Sequence, residues 1–137
     1  MRSRAFVLML ATGIAVGLIG GSGLTAQPEP VKRTVLLKTD LAGLQGKEAL
    51  VLLVELAPGA AAGKHHHPGG HEFGYVLEGS VTLEIEGKPP FTLKPGETAY
   101  VAPRQVHDLR NASDRAPVRA VVFSIVEKGQ PATVPVK

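Results

Sequence analysis

Hydrophobic residues beyond position 26 occur in short runs that are separated by glycine and proline. No segment there combines a sustained 3.6-residue period with helix caps, so the pattern predicts an all-β chain. The clearest run alternates strictly, and its Val81, Leu83 and Ile85 should face a core while the polar residues between them face water. The predicted strands are Arg33–Leu37, Ala49–Leu56, Phe73–Leu77, Val81–Glu86, Phe91–Leu93, Thr98–Val101 and Val118–Val126.

Two of the apolar runs, Ala49–Leu56 and Val118–Ile125, are almost continuous. Continuous runs of this length are typical of strands that are covered on both faces. The cover is either a second sheet or a partner subunit. We therefore expect a homodimer that forms through such a strand.

The segments between the predicted strands contain turn residues. Gly79-Ser80 predicts a two-residue hairpin turn, Gly87–Pro90 a longer loop, and Pro95-Gly96 a tight turn. Short strands joined in this way build an antiparallel sandwich or barrel. We expect the core of that barrel to contain Phe73, Val76, Leu77, Val81, Leu83, Ile85 and Val101.

The first 26 residues have a different composition from the rest of the chain. Arg2 and Arg4 precede the uncharged stretch Ala5–Gly20, and small and polar residues follow as far as Ala26. This is the three-part layout of a secretory signal peptide. It predicts cleavage near Ala26 and a mature domain, residues 27–137, in the periplasm or secreted. The alternative is a retained membrane anchor, although the apolar run falls short of the ~20 residues that a spanning helix needs.

Composition narrows the class of protein further. A chain of 137 residues has room for one ordinary domain. Removing the two arginines of the predicted signal leaves 15 − 2 = 13 basic residues against 12 acidic ones, a net charge near +1, and no basic stripe or motif indicates nucleic-acid binding. The absence of cysteine excludes disulfides and thiolate metal sites, so a metal ion must be held by nitrogen and oxygen. The polar ends of the mature chain, residues 27–30 and 128–137, are expected to be mobile.

Four of the five histidines lie between positions 65 and 71. In an extended strand alternate residues share a face, so His65 and His67 can converge on one point while His66 points away. Glu72 follows a Pro-Gly-Gly turn that can bring the chain back beside that strand, and His107 can supply a third imidazole. This donor set suits one divalent ion of iron, manganese, nickel, copper, cobalt or zinc, and leaves positions open for a substrate. The alternative is a histidine-rich surface tract that binds metal adventitiously, or histidines used only for packing.

The stretch Gly59–Gly79 resembles the first sequence motif of the cupin superfamily, Gly-x5-His-x-His-x3–4-Glu-x6-Gly. Each of the five defining residues is present at its spacing. The resemblance implies a small antiparallel jelly-roll barrel, often dimeric. It also implies that His65, His67 and Glu72, together with His107, bind one transition-metal ion.

Gly96, His107 and Asn111 resemble the second cupin motif, Gly-x5-Pro-x-Gly-x2-His-x3-Asn. Ala102 and Arg104 stand where that motif has its proline and its second glycine. These departures alter the turn before the histidine and leave the spacing of histidine and asparagine intact. The two motifs together cover residues 59–111, about half of the predicted mature domain.

Small cupins that resemble this chain include dioxygenases of the quercetinase kind. The resemblance implies a metal-dependent oxidoreductase of the dioxygenase type acting on a small molecule, with Glu72 as ligand and as catalytic proton acceptor. The same four ligands equally serve a non-catalytic protein that binds metal or a small ligand, or a sugar- or signal-binding barrel in which the metal is incidental. His66 and His71 are expected to stay outside the ligand set, at the pocket mouth or in water.

Overall fold

The computed structural model describes residues 29–137, so the predicted signal peptide, residues 1–26, lies outside the described part of the chain. All regular secondary structure in the described part is β, as predicted, and no helix occurs there. No helix in this part is therefore long and apolar enough to cross a membrane. The strands are β1 Val31–Asp40, β2 Lys47–Leu56, β3 His65–His66, β4 His71–Glu78, β5 Val81–Ile85, β6 Phe91–Leu93, β7 Thr98–Val101, β8 His107–Asn111, β9 Val118–Glu127 and β10 Val134–Pro135.

The strands form two antiparallel sheets of five strands each. The large sheet has the order β1-β2-β9-β4-β7 and the small sheet the order β10-β3-β8-β5-β6. Neighbouring strands come from distant parts of the sequence, as in the pairing of β2 with β9 and of β5 with β8. This topology fits the predicted jelly roll.

The core lies between the two sheets. The alternation predicted for β5 is confirmed, because Val81, Leu83 and Ile85 are buried while the residues between them are half-exposed. Leu56 and Val118 of the large sheet pack in the same cluster as Val81 and are fully buried. Full burial of such a side chain stabilises the fold by about 1.5–3 kcal/mol, so contacts between the sheets hold the barrel closed.

The prediction that Gly79-Ser80 makes a hairpin turn is wrong. The Gly79-Ser80 segment connects β4 of the large sheet to β5 of the small sheet, and these strands do not pair. Gly79 has a positive φ of 75°, and a Cβ atom there would lie 2.6 Å from the carbonyl oxygen of Pro117. Only glycine accommodates both the conformation and the close approach. By contrast, the loop at Gly87–Pro90 does join a hairpin, since β5 and β6 are paired.

Phe73 and Leu77 were expected in the core, and this prediction is also wrong, because they are 42% and 38% exposed. The inward positions of β4 are those of Glu72, Gly74 and Val76, so the apolar residues between them face outward. In a strand one register position decides which face a side chain occupies. Glu72, and not the neighbouring aromatic residue, takes the inward position.

The chain end is more structured than predicted for Lys128–Lys137. Val134 and Pro135 pair with His66 and His65, and the amide of Val136 donates to the carbonyl oxygen of Lys64 at 2.9 Å. This pairing uses only main-chain groups, so the low apolar content gave no signal of it. We call residues 131–136 the C-terminal strap.

Candidate metal centre

The four residues proposed from the sequence are brought together between the two sheets. His65 and His107 are cross-strand partners on β3 and β8 of the small sheet, so their imidazoles share a face. His67 follows β3 directly, and Glu72 approaches from β4 of the large sheet. One nitrogen of each of the three histidines lies within 4.8 Å of the others, and these three buried imidazoles can hold one metal ion.

Each of the three imidazoles is held by a hydrogen bond between its Nδ1 atom and a main-chain carbonyl oxygen. A carbonyl oxygen only accepts hydrogen bonds, so each Nδ1 must carry a proton, and in the neutral ring the lone pair then lies on Nε2. Such support orients a metal-binding histidine and sets its tautomer. The acceptors are the carbonyl oxygens of Gly63 for His65 at 2.6 Å, Ala132 for His67 at 2.6 Å, and Gln105 for His107 at 3.0 Å.

The Nε2 atoms point toward Glu72. Nε2 of His67 lies 2.8 Å from Oε2 of Glu72, and Nε2 of His107 lies 3.6 Å from Oε1. Despite these distances, neither buried Nε2 atom has a hydrogen-bond partner of good geometry. Leaving a buried polar atom unpartnered is costly. Three nitrogen lone pairs and a carboxylate that converge in this way fit a divalent transition-metal ion, which would satisfy all of them.

The charges of the site are coupled in the metal-free protein. Burial raises the pKa of Glu72, but its contacts with His107 and His67 outweigh burial and lower that pKa from 4.5 to about 2. Burial lowers the pKa of His67, but the neighbouring carboxylate outweighs it and raises the pKa above 6.5. Burial lowers the pKa of His65, which keeps that ring neutral. Glu72 is therefore an anion at neutral pH, as a metal ligand must be.

A small apolar cavity adjoins Glu72 inside the barrel. Its volume is about 40 Å³, and Gly74 and Ala99 leave the space that larger side chains would fill. The carboxylate is the one charged group among residues that are otherwise mostly apolar, so little holds a water molecule there. The remaining lining residues are Tyr75, Val76, Val81, Leu83, Leu93, Val101, Leu109, Ala120 and Val122.

Asn111, matched in the second motif, is a structural residue whose role the sequence did not reveal. Its side chain is buried, and the two N–H groups of its Nδ2 are shared among the carbonyl oxygens of Leu56, Ala57 and Ala116, which lie at 3.3, 3.0 and 2.8 Å. Its Oδ1 accepts from the amide of Ser113 at 2.9 Å. The asparagine therefore ties the end of β8 to the loops beside it and does not approach the imidazoles.

Arg104 occupies the position where the second motif has glycine. It has a φ of 62° and is the only non-glycine residue of positive φ in the described part of the chain. Its amide donates to the carbonyl oxygen of His67 at 2.8 Å. The left-handed turn that the motif requires is thus kept without its glycine, and it links the two ligand-bearing segments.

The other two histidines stay outside the ligand set, as predicted. His66 is half-buried and does not belong to the cluster of three imidazoles. His71 is exposed, and its Nδ1 lies within hydrogen-bond distance, 2.8 Å, of the hydroxyl of Tyr100. Neighbouring histidines of one short segment therefore differ in role according to strand register.

A jelly-roll barrel with histidines and a carboxylate converging between its sheets is the arrangement of the cupins. The chain matches the cupin domain over residues 52–125, more than half of its length, and it belongs to that family. A curated relative, tetracenomycin polyketide synthase protein TcmJ of Streptomyces glaucescens, is 35% identical over 72 residues, which are 53% of this chain and 46% of TcmJ. The match thus spans less than half of the length of that relative.

Solved structures agree on the fold. A cupin-like protein from Thermotoga maritima is 26% identical, with a TM-score of 0.62 over 77% of this chain and 75% of that one. An oxalate oxidase in complex with the substrate analogue glycolate is 24% identical, with a TM-score of 0.61 over 83% of this chain and 59% of that one. At this identity the second likeness concerns the fold alone.

Proposed function

We propose that this chain is an exported metal-binding cupin and a metal-dependent oxidoreductase of the dioxygenase type that acts on a small molecule. His65, His67, Glu72 and His107 would hold one divalent ion of iron, manganese, nickel, copper, cobalt or zinc. The observation that carries the proposal is the convergence of three imidazoles, each held by a hydrogen bond to the main chain. Two of them, His67 and His107, have buried Nε2 atoms that lack hydrogen-bond partners. Buried polar atoms in folded proteins are usually hydrogen-bonded, and a bound ion would supply the missing partner of these two.

The ion, when bound, would supply Lewis acidity and open positions at which a substrate can be activated. Glu72 stays ionised at neutral pH because its pKa is about 2, which suits a ligand. To act as a proton acceptor, the carboxylate would first have to lose its contacts with His67 and His107, since these contacts make it a weak base. The apolar residues around the cavity would exclude water from the reacting atoms.

The cavity beside Glu72 favours a ligand whose apolar part is small. A volume of about 40 Å³ has room for a few heavy atoms, such as dioxygen or a short carbon chain. The relative TcmJ is named for polyketide synthesis, which supports a small organic molecule as the ligand class.

The same small cavity favours a second candidate, a non-catalytic protein that binds metal or a small ligand. The cavity is too small to enclose a flavonoid, the substrate of quercetinase-like enzymes. A binding protein needs the same four ligands but no room for a second reactant. The two candidates differ in turnover and not in metal content.

Metal content of the mature chain, purified without a histidine tag, tests the site. Elemental mass spectrometry should find about one equivalent of a transition metal in the parent, because one donor set is present. His65→Ala/His67→Ala should lose it, and His66→Ala/His71→Ala, which removes the same number of imidazoles from the same segment, should keep it. An ion retained by the first variant, or absent from the reconstituted parent, would contradict the proposed centre.

Oxygen uptake distinguishes the two candidates. The reconstituted protein is incubated with panels of small acids, enols and phenols, and dioxygen consumption is recorded beside product formation. Consumption that depends on both the ion and an added compound supports the oxidoreductase. Stable binding of a compound without consumption supports the binding protein.

We propose export on the sequence pattern of residues 1–26, with the mature domain in the periplasm or secreted. The full-length chain is expressed in a Gram-negative host, and the protein of the periplasmic and membrane fractions is analysed by intact mass. A species beginning near Gln27 in the periplasm supports a cleaved signal. A full-length species in the membrane fraction supports the retained anchor.

We also propose a homodimer that forms through the outer face of the large sheet. This face exposes Phe73, Tyr75 and Tyr100 at 42%, 45% and 48%, and an open groove of about 410 Å³ lies among them. The ring centroid of Phe73 lies 5.2 Å from that of Tyr100 and 5.9 Å from that of Phe123, so these aromatic side chains form one continuous surface. Contiguous exposed aromatic surface of this kind is typical of protein interfaces.

A further inference from the structure

The imidazoles of the candidate metal centre are largely buried. His65, His67 and His107 are 8%, 5% and 3% exposed, and the Nε2 atoms of His67 and His107 are closed to solvent. An ion therefore reaches these two Nε2 atoms only if some part of the barrel moves. The part that moves should be the one held by the fewest contacts around the ligands.

The C-terminal strap is one such weakly held segment beside the ligands. β3 carries His65 and lies between β8 on one side and β10 on the other. On the β10 side the pairing covers two residues, Val134 and Pro135, and one further hydrogen bond from the amide of Val136. Every strap side chain is exposed or half-buried, so no core contact secures it. A groove of about 440 Å³, with Arg33 and Lys64 in its wall, runs beside the strap.

The strap also contacts a ligand directly. The carbonyl oxygen of Ala132 accepts the Nδ1 proton of His67 at 2.6 Å, across 65 residues of sequence. The corresponding supports of His65 and His107 come from residues only two positions away in the chain. The orientation of His67 is therefore the only one of the three that depends on a distant and weakly held segment.

We propose that the C-terminal strap is a positioning element of the metal centre, which holds the tautomer of His67 through the Ala132 carbonyl and must lift for the ion to enter or leave. This inference rests on the proposed metal binding. With the strap in place Nε2 of His67 faces the site as a lone pair. With the strap lifted the ring is free to rotate, and β3 loses its outer neighbour.

A disulfide that links the strap to β3 tests whether the strap must lift for the ion to pass, which we call its gate role. The parent has no cysteine, and Val134 is the cross-strand partner of His66, whose side chain is outside the ligand set. Antiparallel partners of this kind have Cα atoms at a distance that a disulfide spans. In oxidised His66→Cys/Val134→Cys, uptake of Co²⁺ by the metal-free protein and its removal by EDTA should both be at least about tenfold slower. Reduction should restore the parent rates.

The matched control is a lock of the same kind at a remote position. Lys32, which is exposed, and Glu55, which is half-buried, are cross-strand partners on β1 and β2. Oxidised Lys32→Cys/Glu55→Cys should exchange the ion at the parent rate. Slowing in the control as well would show a general effect of cross-linking, and would overturn the assignment of the gate to the strap.

Removal of the strap tests the positioning role. A chain that ends at Gln130 should bind Co²⁺ about 10- to 100-fold more weakly, the usual effect of losing an outer support of a ligand. The ¹⁵N spectrum of the histidine rings in the metal-free protein distinguishes a positioning role from a purely structural one, because only positioning changes the tautomer of His67. At a pH high enough for the His67 ring to be neutral, it should change from the Nδ1-protonated form to a mixture of tautomers, while His107, whose support comes from Gln105, should not change.

The outcomes separate this inference from the proposed function. Equal exchange rates in the oxidised and reduced lock would refute the gate. An unchanged His67 spectrum in the shortened chain would refute the positioning role. If the parent binds no ion at all, the proposed function and the gate fail together, whereas the ¹⁵N comparison still decides whether the strap positions His67.

Discussion

Replacing Arg104 by glycine should stabilise the protein, although it removes a side chain. A non-glycine residue in the left-handed region costs about 1–2 kcal/mol, and Arg104 has a φ of 62°. Glycine relieves that strain but raises the entropy of the unfolded chain, which costs about 0.4–1 kcal/mol. The net gain is about 0.5–1 kcal/mol, or roughly 2–5 °C in melting temperature for a domain of this size. The amide of residue 104 still donates to the carbonyl oxygen of His67.

Arg104→Ala is the matched control, because it removes the same exposed side chain and keeps the strained backbone. It also removes the same attraction to Glu127, which contributes to the low pKa of that carboxyl group. Urea denaturation of the three proteins, metal-free and at one pH, gives the free energies of unfolding. Arg104→Gly should exceed Arg104→Ala by at least about 0.5 kcal/mol. Equal values, or a less stable glycine variant, would refute the claim that this backbone position is strained.

Four further predictions concern single residues. Asn111→Ala should lose about 2–4 kcal/mol of stability in urea denaturation, because one buried and two part-buried carbonyl oxygens lose their donor. Gly79→Ala should cost about 2 kcal/mol or more, whereas Gly96→Ala, where φ is also positive but nothing lies within 4 Å of the added Cβ, should cost about 1 kcal/mol. Because the pKa of Glu72 is lowered to about 2, its ionised form stabilises the metal-free protein above pH 4.5; that stability should be lost between pH 4.5 and 2 in the parent but not in Glu72→Gln. Phe73→Asp, on the exposed aromatic face, should halve the mass measured by light scattering; an unchanged dimer mass would place the interface elsewhere.

The fold class and the cluster of three histidines could be predicted because they depend on local signals. Alternation of apolar and polar residues placed β5 and its inward side chains correctly. The spacing of His65, His67 and Glu72 was sufficient to predict where the site lies, because strand geometry and the motif both depend on positions within one short segment. β3 and β8 are absent from the strands predicted by apolar pattern, since the residues they contribute to the site are polar.

The wrong predictions concern positions whose structure depends on contacts with distant segments of the chain. Gly79-Ser80 has the composition of a hairpin turn, but the two strands that flank it, β4 and β5, belong to different sheets and pair with other strands. Phe73 is apolar and was assigned to the core, yet the inward position beside it had to carry Glu72. The strap gave no sequence signal because its contribution is the carbonyl oxygen of Ala132, a group that every residue possesses. Register and main-chain contacts are properties of the assembled barrel.

That the three imidazoles are held by carbonyl oxygens has a consequence for how the site can vary among related proteins. No point substitution deletes a carbonyl oxygen, so the Nδ1 supports survive changes of side chain at positions 63, 105 and 132. Where a carboxylate supports a ligand, by contrast, one substitution abolishes the support. Insertions and deletions, which redirect the main chain, are the changes that would reach these supports. Metal affinity in this barrel should therefore tolerate sequence drift and respond sharply to changes in loop length.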